Sequence, residues 1–236
     1  MDDNILNEMG HEPHEFHKPF RVRADKNYPY VHKTPRAEKS SRRFAGFICK
    51  IAPPILKIFL CFKITGKENL EHLDKGAVTV CNHVHPLDSV ALACAFWNRD
   101  TYYLSQKDNF SIPVIRHIIR KLKAVPIPDT PSGYAAMLRQ IKPKVRNGAM
   151  FHIYPEGSLR TDCTVLREFK PGAFQIADMF GVPVVPCAIR ISRKNGKLVR
   201  ELKIGKPLSA DTCLPKKVRI SELENRVRDA MEEMLA

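Results

Sequence analysis

The chain has 236 residues, 44% of them hydrophobic: enough for one compact α/β domain with a sizeable core, too few for a polytopic membrane protein. Thirty-nine Lys and Arg against 25 Asp and Glu give a formal net charge of +14, which calls for an anionic partner: nucleic acid, an anionic membrane face or a phosphorylated substrate. Seven cysteines, an odd count without CxxC spacing, indicate a reducing, cytosolic compartment, and Cys61, Cys81 and Cys187 read as small core hydrophobes.

Residues 1–40 are polar and rich in Pro, His and charge, and they read as an extended or partly disordered arm. The acidic opening MDDNILNEMG lacks a basic segment followed by an apolar one, so no signal peptide is expected. His11, His14 and His17 would share one helical face, but Pro13 and Pro19 oppose a helix, leaving a solvated arm as the expectation.

Residues 41–63 change character, with no acidic residue between Lys39 and Lys67. Phe44, Phe47, Ile48 and Ile51 fall on one helical face, Pro53-Pro54 breaks the run, and Ile55, Ile58, Phe59 and Phe62 form a second face. These pieces are too short and lysine-rich to span a bilayer, and two short amphipathic helices in an anionic membrane interface are expected. The alternative is a helix pair packed on the domain core.

From residue 64 to 236 the pattern is α/β. Strands are predicted at 77–80, 101–105, 124–127, 149–154, 182–189 and 200–205, as short apolar runs suited to burial on both faces. Helices are predicted at 87–97, 112–122, 132–146, 171–180 and 217–235; the last opens on the capping box Ser221–Glu224 or one turn earlier. This alternation implies a mostly parallel central sheet with helices on both faces.

The segment CNHVHPLD follows the apolar run AVTV, which would place Asn82 and His83 at the carboxyl end of a strand, where such sheets gather functional groups. Pro86 suits the first turn of the next helix, and Asp88 within that turn can reach His83. A carboxylate on Nδ1–H fixes the tautomer, leaving Nε2 free as a general base with a reference pKa of about 6.5. HxH followed by Asp is also similar to metallohydrolase patterns, but the Asp comes one residue late and no further His follows it, against three or four ligands for a zinc site. A second strand exit carries Tyr154-Pro155-Glu156-Gly157-Ser158; its carboxylate needs partners and its glycine permits close backbone approach. Arg160, Arg167 and Lys170 then lead into a helix start suited to an anion.

NHVHPLD resembles the NHxxxxD motif of the PlsC-like glycerolipid acyltransferases, the 1-acylglycerol-3-phosphate acyltransferase family. YPEGS resembles the family's F-P-E-G-[ST] motif, EFKPGAFQIA its [RK]-F-K-x-G-[AV] segment, and VPVVPCAI its fourth block; ITGKENLEHLDKGAVTVCNH reads like the approach to the catalytic strand. The four blocks stand in the family's order, and the resemblance covers residues 60–210. It implies a glycerol-3-phosphate acyltransferase-like fold. It implies His83 as general base, Asp88 as its orienting carboxylate, and Asn82, Glu156, Gly157, Ser158, Arg160 and Lys170 around the acyl acceptor. The implied donor is acyl-CoA or acyl carrier protein, used as co-substrate with no cofactor or metal. The implied acceptor is a lyso-glycerolipid, by default lysophosphatidic acid, and the enzyme would sit peripherally on the cytoplasmic face of the cell membrane. An apolar tunnel for the acyl chain is also expected; Phe96, Trp97 and Phe110 are candidates for it or, more simply, core.

Two departures bear on the acceptor. Asp129 stands where the second block usually carries a phosphate-binding Arg, and Leu159 where the third usually carries one, with Arg160 a place later. Arg160, Lys123 or Arg120 would have to compensate, and a non-phosphate acceptor stays open. Outside this class stand a nucleic-acid-binding domain, for which no recognition pattern is present, a metallohydrolase using His83, His85 and Asp88, and a silent lipid-binding relative.

Overall fold

The computed structural model describes residues 22–71 and 73–236, so His11, His14 and His17 lie outside the described residues. Strands β1 (Phe62–Thr65), β2 (Ala77–Cys81), β3 (Thr101–Ser105), β4 (Ala124–Pro126), β5 (Met150–Ile153), β6 (Val184–Lys194) and β7 (Lys197–Ile204) form one sheet in the order β1-β7-β6-β2-β5-β3-β4. The five strands from β6 to β4 in that order are parallel, whereas β7 is antiparallel to β6 and β1 runs with β7. The mostly parallel sheet expected from the alternating pattern is therefore observed. The carboxyl ends of β2, β3, β5 and β6 share one rim.

Alternation along each buried strand feeds two cores. Val78, Val80, Phe151 and Val184 face α4 (Pro131–Arg146), α5 (Gly172–Phe180) and α6 (Lys216–Leu235), against Met137, Ile141, Phe174, Val227 and Met231. Ala77, Cys81, Met150, Val185 and Cys187 face the other way, against Ala52 and Leu56 of α1 (Pro35–Leu60) and Ala91 and Leu92 of α2 (Asp88–Ala95). On that side α3 (Pro113–Lys121) also packs on α1, yet it contains no buried residue.

Two expectations differ from the structure. Residues 22–34 are not a solvated arm: Ala24 and Tyr30 are buried, Ala24 N–H donates to Asp129 Oδ2 at 3.0 Å, and Tyr30 N–H donates to Gln140 Oε1 at 3.0 Å. Two short helices broken at Pro53-Pro54 are replaced by the single helix α1, which runs through both prolines. An interior proline costs roughly 3 kcal/mol through its missing N–H and its clash with the preceding turn. Here both rings point to solvent, while Ala52 and Leu56 on the inner face anchor the helix across them. Helix α6 opens at Lys216, the earlier of its two expected starts, one turn before Ser221 and with no side-chain cap.

Strand β1 and the hairpin joining β6 to β7 had no counterpart among the predicted elements. The hairpin turns at Asn195-Gly196, both at positive φ (50° and 76°), the pair that best tolerates a tight left-handed two-residue turn. All seven cysteines are free. No described helix is long and apolar enough to cross a membrane.

Candidate active site

Two adjacent strands, β2 and β5, pair in parallel with Val80 opposite Ile153, so the residues that follow them emerge side by side on the carboxyl rim. His83 leaves β2 and Tyr154 leaves β5. Their rings stack with centroids 3.8 Å apart and planes 11° from parallel, and the Tyr154 hydroxyl lies 3.0 Å from Ser89 Oγ on α2.

Asp88 occupies the first turn of α2, where the helix dipole favours a carboxylate. It is fully buried, and its Oδ2 accepts from the N–H groups of Val84 and His85, each at 2.8 Å, and faces His83 Nδ1 at 3.1 Å. A carboxylate only accepts, so the proton on this imidazole sits on Nδ1 and the lone pair on Nε2. The His83 side chain keeps 19% of its surface exposed, so Nε2 is open to a substrate. The five-residue spacing from His83 to Asp88 thus produces an oriented imidazole.

The segment after β5 is strapped across the His83 segment. Arg160 N–H donates to His83 O at 2.9 Å, and Asp162 N–H donates to Val84 O at 2.9 Å. Arg200 of β7 holds Asp162 through an ion pair at 2.7 Å. Glu156 is the central tie. Its Oε2 accepts from His83 N–H at 3.2 Å and pairs with Arg167 Nη2 at 2.7 Å, while Oε1 accepts from Arg167 N–H at 3.1 Å. Arg167 also donates to Ser158 Oγ at 3.0 Å and to Ser158 O. Gly157 has φ +79°, the left-handed region that favours glycine, while a Cβ there would meet only the flexible end of Lys170, 2.9 Å from Nζ.

The residues expected at the acceptor therefore divide. Asn82 is buried with its amide turned into the sheet: Nδ2 donates to Ile189 O at 3.0 Å and Oδ1 accepts from Ile189 N–H at 2.7 Å. Glu156 and Ser158 are engaged within the loop. Asn82 and Glu156 thus spend their side-chain oxygens inside the protein, while Ser158 accepts from Arg167 and stays exposed. Arg160 and Lys170 are exposed on the rim, and neither side chain forms an ion pair among the described residues. They are the cations available beside His83 and Gly157.

The other two proposed compensators lie elsewhere. Lys123, before β4 at the opposite rim, is buried and paired with Asp100 at 2.7 Å; Arg120 donates to Tyr28 OH at 2.6 Å. Asp129 does not face an acceptor unpaired. It binds Lys107 and caps Ala24 N–H, and chiefly the Lys107 bond holds its carboxyl below the usual range. His85 Nδ1 accepts from Leu87 N–H at 3.1 Å within the turn. Among the described residues no group of three His, Cys, Asp or Glu side chains converges as a metal site.

Sequence reasoning missed Tyr154, Ser89 and the tie role of Arg167, because none of these pairings can be drawn without the strand order. Beneath the site, buried His152 faces Thr79 Oγ1 through Nδ1 at 2.9 Å and meets Tyr154 edge-on at 4.5 Å. Burial, aided by nearby His83, pushes its pKa down to about 3. Phe96 and Phe110 are core. Phe96 and the exposed Trp97 also border a cavity of about 790 Å³ at the amino ends of β3 and β5, away from His83.

Known proteins share this arrangement of chain. The sequence model of a family described as "Acyltransferase" matches residues 61–190, from before β1 into β6. A chloroplastic 1-acyl-sn-glycerol-3-phosphate acyltransferase of Brassica napus is 34% identical over 155 residues, 64% of this chain and 44% of the relative. Its counterpart LPAT1 of Arabidopsis thaliana is 32% identical over 150 residues, 63% of this chain and 41% of the relative. The chain thus spans less than half the length of these curated relatives. The crystal structure of the 1-acyl-sn-glycerophosphate acyltransferase PlsC from Thermotoga maritima superposes with a TM-score of 0.62 at 23% identity, covering 88% of this chain and 85% of that one, which shows a common fold.

Proposed function

The chain belongs to the acyltransferase family, and we propose that it moves a fatty acyl group from acyl-CoA or acyl carrier protein to the free hydroxyl of lysophosphatidic acid, giving phosphatidic acid. The observation that carries this reading is the His83–Asp88 pair, with Nδ1 held at 3.1 Å by a buried carboxylate and Nε2 open on the rim. His83 Nε2 takes the proton of the acceptor hydroxyl as its oxygen attacks the thioester carbonyl. The tetrahedral intermediate collapses with cleavage of the C–S bond, and the imidazolium returns its proton to the departing thiolate. The products are the new ester and the free thiol carrier, with no acyl-enzyme and no cofactor.

Arg160 and Lys170 would receive the acceptor phosphate, replacing the cation absent at Asp129. A non-phosphate acceptor is the second reading, favoured by Asp129 being neutralised by Lys107 rather than answered by a cation free for phosphate. The outer face of α1 would rest on an anionic membrane, leaving the protein peripheral at the cytoplasmic face. Acyl transfer to lysophosphatidic acid and to its dephosphorylated analogue, monoacylglycerol, tests the acceptor: loss of activity with the analogue supports the phosphate reading, and equal rates oppose it.

A further inference from the structure

Helix α1 carries three stripes. Ser41, Ala52 and Leu56 turn inward, Arg43, Lys50 and Lys57 line one outer flank, and Phe44, Phe47, Ile51, Ile55 and Ile58 recur every three or four residues along the other. Phe47, Ile51, Ile55 and Ile58 are exposed, Ile58 to 70%. Their stripe includes Phe44, and Phe44 is where α3 meets α1: Lys121 Nζ stands 5.3 Å from its ring, and Ser41 Oγ donates to Lys121 O at 2.6 Å. The apolar flank of α1 therefore looks to the side on which α3 lies.

Helix α3 is itself unusual. None of its residues is fully buried, and Ile112 before it, with Val114, Ile115 and Ile118 within it, is exposed, Val114 to 70%. A nine-residue helix with no buried residue gains little from its own domain, so a surface of this kind marks a binding face. Acid is absent from α3 and from α1 beyond Glu38 in its first turn: no Asp or Glu occurs from Lys39 to Lys67 or from Asn109 to Pro128, in a chain that has 25. That composition matches an anionic lipid surface, with apolar side chains to bury and cations to meet headgroups.

Topology directs both helices at the catalytic rim. Helix α1 ends where β1 begins, and β1 runs against β2, so Ile55 and Ile58 lie toward the rim that carries His83. The contacts agree: Cys61 O accepts from Arg200 N–H at 3.3 Å, and Arg200 holds the Asp162 segment bonded to Val84. Helix α3 follows β3, so its amino end is on that rim too, and Gln106 just before it reaches Gly157 O at 3.5 Å. We propose that α3 is a second bilayer-contact element, forming with the apolar flank of α1 one two-helix surface that seats the site's mouth on anionic lipid. This rests on the membrane reading above and extends it to a helix inside the family's own domain.

Flotation with phosphatidylcholine vesicles, with and without phosphatidylglycerol, tests the proposal without needing turnover. The variants are Val114→Glu/Ile118→Glu, its uncharged companion Val114→Ser/Ile118→Ser, and Phe47→Glu/Ile58→Glu on α1. All four replaced side chains are solvent-facing, so folding is retained. The proposal expects each pair to weaken binding to anionic vesicles, by about tenfold for the glutamates, with native mass and turnover of a short-chain lysophospholipid below its micelle concentration unchanged. If flotation falls while the protein transfers no acyl group to any acceptor, the surface stands and the activity reading fails. Undiminished flotation of both α3 variants would overturn the proposal, as would a native mass that halves, which would make this face a contact between copies.

Discussion

The imidazole of His83 lies flat on the phenol ring of Tyr154, 3.8 Å away, and the far side of that phenol is moored to Ser89 on the helix that also presents Asp88. Imidazole, stacking ring and carboxylate are thus held together by the exits of β2 and β5 and by α2. Tyr154→Phe keeps the ring and loses only the Ser89 contact, so a rate change of at most a few-fold is expected. Tyr154→Leu removes the platform and should lower kcat by about tenfold to a hundredfold, from misplacement of the base, with a smaller change in KM. Equal effects of the two variants would assign the role to the hydroxyl.

Asp88→Asn tests the tautomer. An amide can donate to Nδ1, which would place the proton on Nε2 and block the base. By analogy with other His–carboxylate pairs, kcat should fall by about 10³ to 10⁴. Asp88 Oδ2 also accepts from Val84 and His85, so a thermal melt of the variant is needed to separate lost orientation from a loosened turn.

Glu156 ties the His83 backbone to Arg167. Removing its partner with Arg167→Ala would leave a buried carboxylate without its cation and destabilise the loop by roughly 3–5 kcal/mol. Arg167→Lys restores the charge but not the fork that also holds Ser158, so partial recovery is expected. An Arg167→Ala protein with unchanged melting and unchanged kcat would show that the strap over His83 is dispensable.

Arg160→Ala should raise KM for a phosphate-bearing acceptor by roughly tenfold, the value of one charge-assisted hydrogen bond, and leave an uncharged acceptor unaffected. A matching rise for both acceptors would mean that the residue acts through the loop instead.

His152 gives a pH signature. It is neutral in the fold, with its pKa pushed down to about 3, and in the unfolded chain it titrates at about 6.5. Between those values the unfolded state binds more protons, so this contribution to stability is complete above about pH 6.5 and is lost as pH falls toward about 3. Denaturant unfolding of wild type should weaken over that window, by up to about 1.4 kcal/mol per pH unit from this group. His152→Gln, which can keep a bond to Thr79, should have a shallower dependence. An identical slope would place the acid sensitivity elsewhere.

Much of this was legible from residues alone where the cause is local. The apolar runs AVTV and MFHI became the buried strands β2 and β5, and the His83-to-Asp88 spacing became the hydrogen-bonded pair, because a strand exit and the next helical turn are joined by only a few residues. What escaped is non-local. Residues 22–34 look solvated by composition, but their backbone is held by Asp129 and Gln140, over 100 positions away. Pro53-Pro54 reads as a break, but α1 runs through it with Ala52 and Leu56 buried on the sheet side, a packing that no local signal announces. Asn82 and Glu156 were assigned to the acceptor because polar residues at strand ends often serve ligands. Whether their atoms are instead spent on Ile189, His83 and Arg167 depends on the strand order β6-β2-β5, which no single stretch encodes.

The most direct test of the central claim is acyl transfer by the purified protein from a long-chain acyl-CoA to lysophosphatidic acid, measured beside His83→Ala, with melting curves confirming that both are folded. The account predicts phosphatidic acid and one equivalent of free CoA thiol from the wild type and none above background from the variant. Product formed at comparable rates by both proteins would contradict His83 as the base.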